Sequence, residues 1–66
     1  MPHEDRPADD LTLDRRQAIF LAVVEAQDQG KPVAESRAEA ARRFDVTIEQ
    51  VRAIEREGLD ENWPPL

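Results

Sequence analysis

The stretch RRFDVTIEQVRAIEREGL, residues 42–59, decides how this chain is read. Phe44 and Val46 flank Asp45, and aspartate tolerates a left-handed backbone better than most residues that carry a Cβ. Thr47 follows, with Gln50 three positions later. A hydroxyl at a helix start and an amide or carboxylate three residues on satisfy each other's exposed backbone amides. Val51 and Ile54 then recur at helical spacing, and Gly58 offers a stop. The stretch therefore predicts one helix ending at Phe44, a tight turn at Asp45, and a second helix opened by Thr47. In the second helix Val51, Ile54 and Leu59 are expected inward, and Glu49, Arg52, Ala53 and Arg56 outward.

Two further helical signals lie upstream. Leu13, Arg16 or Gln17, Phe20, Val23 or Val24, and Gln27 recur every three or four residues, widened by Ile19, Ala22 and Ala26. That is the broad apolar stripe of a helix over residues 13–29, capped by Thr12 or Asp10 and stopped by Gly30. Gly30, Lys31 and Pro32 form a turn. The middle helix then has two competing starts: Pro32 at a first helical position, and the capping-box pattern of Ser36 and Glu39. It begins between Val33 and Arg37 and ends at Phe44, with Val33, Ala40, Ala41 and Phe44 inward. Small alanines let another helix approach closely.

The ends differ from this middle. Residues 1–14 hold five acids against one arginine, while residues 32–57 hold six acids against five arginines. Most of the net charge of −6 thus belongs to residues 1–14, of which 1–11 are read as a disordered acidic arm. Residues 12–59 form the three-helix domain, and residues 60–66 a tail holding Trp63, Pro64, Pro65 and Leu66. That tail is expected to fold back on the core; the alternative is a peptide that docks into a partner protein through those four residues.

Sixty-six residues allow one small core, burying about 60% of the unfolded surface. There is no cysteine, which excludes disulfides and suits a reducing cytoplasm. The longest apolar run, residues 18–24, is far short of the roughly 20 residues of a membrane span. The acidic start does not read as a secretion signal. His3 stands alone without metal-ligand spacing, Ser36 has no histidine to activate it, and two glycines make no phosphate loop. No catalytic set, metal site or cofactor is expected, so the chain does not read as an enzyme.

Residues 36–58 fit helix-turn-helix spacing. Counting from Arg37, the small fifth residue is Ala41, and positions four, eight, ten, fifteen and eighteen are Ala40, Phe44, Val46, Val51 and Ile54. Two short helices crossing steeply need a small residue at the crossing and an apolar underside. The fold class expected is all-α, a small three-helix helix-turn-helix domain; a plain three-helix bundle is the alternative.

Residues 36–59, SRAEAARRFDVTIEQVRAIEREGL, moreover resemble region four of bacterial primary sigma factors. The features that carry this are the serine, the run from Phe44 to Thr47, and Val51, Arg52, Ile54 and Glu55. The match covers a little over a third of the chain. It implies a stand-alone bacterial domain reading double-stranded DNA in transcription, beside RNA polymerase or another complex. Glu49 and Arg52 match that family's reading helix. Ile48 stands where it has arginine, Ala53 where it has glutamine, and Arg37 where it buries leucine, hinting at an earlier start for the middle helix. On this reading Arg52 forks onto guanine, Glu49 accepts from cytosine, Thr47 or Gln50 touches phosphate, and Arg42, Arg43 and Arg56 lie along the backbone. The bland alternative pairs Arg52 with Glu49 or Glu55, and Arg56 with Glu55 or Glu57, as solvated surface charges. A lone module is a weak binder and would act as a homodimer or with a larger partner. The alternative function is a protein–protein adaptor on the same fold.

Overall fold

A computed structural model describes residues 11–65. The described residues form three α-helices and no strand: α1 (Leu13–Asp28), α2 (Val33–Phe44) and α3 (Ile48–Glu61). Residues 1–10, with His3 and nearly all of the expected arm, and Leu66 lie outside the described residues.

Each helix starts where a side chain or a fixed φ makes starting cheap. Thr12 caps α1, its hydroxyl accepting from the Arg15 amide at 3.2 Å, and Asp14 sits in the first turn. At α3 the capping box closes fully: the Gln50 amide donates to the Thr47 hydroxyl at 3.0 Å, and the Thr47 amide to the Gln50 side chain at 2.8 Å. Between the two starts competing for α2, Pro32 wins. The Ser36 amide bonds the Pro32 carbonyl at 2.9 Å, so Ser36 lies inside the first turn and caps nothing. Its buried hydroxyl instead donates to the Val33 carbonyl at 2.7 Å and accepts from Gln27 of α1 at 3.2 Å. Glu39, the other half of the expected box, is drawn to Lys31 at 2.7 Å, and that ammonium holds its carboxyl below the ordinary value.

All three helices end by one device. Gly30 (φ 94°), Asp45 (φ 58°) and Asn62 (φ 56°) take the left-handed conformation. The amide after each then reaches back five residues: Lys31 to Ala26 at 3.1 Å, Val46 to Ala41 at 3.0 Å, Trp63 to Gly58 at 3.0 Å. This wrap satisfies carbonyls that a helix end leaves bare, and an apolar residue after it commonly packs back on the helix. Val46 and Trp63 both do so, joining the core.

That core is Ile19, Phe20, Val23, Ala40, Ala41, Val51, Ile54 and Trp63. Trp63 is 6% exposed and meets Phe20 edge to face, centroids 5.8 Å apart at 84°. Such a contact adds about 0.5–1.5 kcal/mol to burial alone. Trp63 thus packs in the core, and Pro64 and Pro65 are exposed.

Four side-chain or boundary expectations need correction. Gly58 does not end α3: it lies buried within the helix, and a Cβ there would stand 2.4 Å from two carbons of the Phe20 ring. Leu59, expected inward, is 61% exposed, because Gly58 occupies the inward position after Val51 and Ile54. Val33 and Leu13 also face out, since they sit in the first turns of their helices beyond the edge of the core.

Two glycine exchanges test this packing with opposite signs. Gly58→Ala would ordinarily gain about 1 kcal/mol of helix propensity, but the ring clash makes it destabilising by about 1–2 kcal/mol net. Asp45→Gly relieves the left-handed backbone and stabilises by about 0.5–1 kcal/mol. Urea unfolding followed by far-ultraviolet circular dichroism measures both.

Candidate nucleic-acid interface

α3 presents its inner face to the core through Val51, Ile54 and Gly58. Rotation by 100° per residue then sends Glu49, Arg52, Ala53 and Arg56 outward together. All four are exposed and line a shallow depression of about 210 Å³. Four residues expected outward by spacing are therefore brought to one place, including Ala53 where a longer polar side chain would suit reading better.

The ion pairs decide what this face carries. Glu49 and Glu55 are the local candidates to neutralise Arg52, and Glu55 and Glu57 those for Arg56. Glu49 forms no ion pair among the described residues, and Glu55 and Glu57 are taken by arginines of other helices. Arg37 of α2 grips Glu55 with two bonds, Nε at 2.7 Å and a terminal nitrogen at 3.2 Å, and the carboxylate raises the guanidinium's pKa further. Arg16 of α1 reaches Glu57 at 3.0 Å, with a second nitrogen at 3.2 Å, and also donates to the Leu11 carbonyl. Among the described residues, Arg42, Arg52 and Arg56 then make no hydrogen bond or ion pair. The local pairings expected for Arg52 and Arg56 do not form.

The remaining expected contacts lie at the start of α3 and near the end of α2. Thr47 and Gln50 spend side-chain bonds on the capping box, which fixes where α3 begins. Arg42 is exposed near the end of α2, and Arg43 lies 5.5 Å from the centre of the Phe44 ring. Arg15 lies 5.6 Å from the same ring and donates to the Phe44 carbonyl at 2.7 Å. Sequence reading missed Arg15, Arg16 and Arg37 as binders of the helices, because their partners stand 18 to 41 residues away. The one available signal was Arg37 in place of a buried apolar residue: α2 does start early, at Val33, and Arg37 turns to α3.

Among the described residues, no cluster of histidine, cysteine, aspartate or glutamate could hold a metal ion, and no helix is long and apolar enough to cross a membrane. Compared with protein families, curated proteins and solved structures, the chain matches none.

The Arg37–Glu55 clamp should couple α2 to α3 modestly, because Arg37 is 31% and Glu55 17% exposed. A double-mutant cycle with Arg37→Met and Glu55→Gln is expected to return a coupling of about 0.5–1 kcal/mol in thermal or urea unfolding.

Proposed function

We propose that this domain is a helix-turn-helix DNA-binding module, transcription-related, with α3 as its reading helix. The observation that carries the proposal is the allocation of charge on α3. Glu55 and Glu57 are occupied by Arg37 and Arg16, so Arg52 and Arg56 stand exposed and unpaired one turn apart beside Glu49. A guanidinium in that state keeps its planar fork free for guanine O6 and N7, and a neighbouring carboxylate can accept from a cytosine amino group. The capping box at Thr47 and the left-handed Asp45 give α3 a rigid start, which a reading helix needs to hold its first two turns in a groove.

Arg56 supplies a phosphate contact beside Arg52, and Arg42 and Arg43 add cations near the end of α2. Few cationic contacts on an acidic chain mean weak binding with a shallow salt dependence. Such a module works beside a second binding element, as the resemblance to sigma region four implies. The adaptor reading has less to stand on, since Trp63 is engaged with Phe20 in the core and leaves little apolar tail for a partner.

The test is selection of duplexes from a random pool at about 50 mM salt, followed by titration of the enriched sequence. Arg52→Ala should erase the preference at one base pair, about 1–3 kcal/mol of discrimination. Arg56→Ala should weaken all sequences alike and lower the salt slope by about 0.9. Both side chains are exposed, so circular dichroism should not change. An enriched pool whose binding ignores both substitutions would overturn α3 as the reading helix.

A further inference from the structure

The flank of α3 that faces away from α1 carries two large apolar side chains with nothing on them. Ile48 is 46% and Leu59 61% exposed. Between them on the same flank lie Arg52 and Glu55, so the four residues run at intervals of four, three and four. That is the spacing of a heptad seam, along which a second helix can pack. The order of chemistry along it is apolar, cationic, anionic, apolar.

We propose that this seam pairs with the same seam of a second copy of the chain, the two α3 helices running antiparallel about a twofold axis between residues 53 and 54. A twofold contact must be self-complementary, and this register is. Ile48 meets the partner's Leu59, and Arg52 meets the partner's Glu55. On the rim, Glu49 comes beside the partner's Arg56, and the twofold makes each of these contacts twice. Antiparallel packing also brings Asp60, near the end of α3, to the start of the partner's α3, where the helix dipole favours an anion.

Three features of the fold prepare the seam. A groove of about 240 Å³ lined by Arg37, Arg52, Glu55, Arg56, Leu59 and Asp60 lies where the partner's Ile48 would enter. Arg37 holds the Glu55 carboxylate in one orientation, and its oxygens keep lone pairs for a second guanidinium. Arg52 and Arg56 have no partner within their own chain among the described residues. The seam spans three turns, about 17 Å, and falls well below a standard interface, so the dimer is weak, with a dissociation constant on the order of 0.1–1 mM.

The pairing uses the side chains assigned above to base and phosphate contacts, so on that DNA reading dimer and duplex exclude one another. The pairing itself needs no DNA, and its test contains none. Sedimentation equilibrium of the full chain, from about 10 µM to about 1 mM, should show monomer passing to dimer. Leu59→Gln should weaken association by about tenfold or more with helicity unchanged. Glu49→Arg and Arg56→Glu, each placing like charges together twice, should each weaken it by about tenfold. An equimolar mixture of those two variants restores both ion pairs and should associate at least as well as the wild type. Monomer throughout the range, or a mixture no better than its components, would overturn the seam. A dimer in a chain that binds no duplex would keep the seam and remove the DNA reading; a monomer that binds duplex would do the reverse.

Discussion

The contact on which this fold depends is the flat ring of Phe20 lying against the bare backbone of Gly58. No other residue type leaves room there, and Phe20 cannot withdraw because it is 2% exposed in a small core. The close approach lets α3 run past the ring for another turn, to Glu61. Asn62 then reverses the backbone and delivers Trp63 to the edge of the same ring. With so few large apolar residues, a domain of this size needs the tryptophan in its core. One glycine therefore lets α3 run on to Asn62, whose reversal seals the core.

Much of the helical architecture was legible because it is written locally. The turn at Asp45, the capping box of Thr47 and Gln50, the Thr12 cap and the stop at Gly30 each need only residues within one helical turn. Apart from Val33 and Leu13, which lie beyond the edge of the core, the misread positions are those in which a distant partner overrides a local signal. Gly58 carries the ordinary mark of a helix stop, and nothing near it in sequence announces a ring arriving from residue 20. Leu59 followed that error, since ending the helix at Gly58 frees the next residue to fold inward. Ser36 and Glu39 have the right spacing for a cap, yet Gln27 and Lys31, supplied by the preceding helix and turn, claim their side chains.

The same logic governs charge. Proximity along α3 suggests that Arg52 pairs with Glu49 or Glu55 one turn away and Arg56 with the adjacent Glu55 or Glu57, surface contacts with little net stabilisation. Arg37 and Arg16 approach Glu55 and Glu57 from neighbouring helices, where partial burial thins the solvent and strengthens attraction. Interhelical pairs also hold the three helices in register, so a carboxylate spent there serves both charge and packing. Two arginines are left over on the outer face. A chain acidic overall thus acquires unpaired cations on its third helix without any run of basic residues that composition could reveal.

Size imposes the last constraint. A helix of fourteen residues whose inner face is filled by Val51, Ile54 and Gly58 has only its outer side for recognition. Fewer than four turns offer one continuous outer surface, so a partner lying along its middle would meet Glu49, Arg52 and Arg56. Ligands of such a helix exclude one another by geometry, without a conformational change to link them. Each also acts as a competitor of the others in proportion to its own affinity. In a larger domain separate partners could take separate surfaces; here little helix remains once the core has been built.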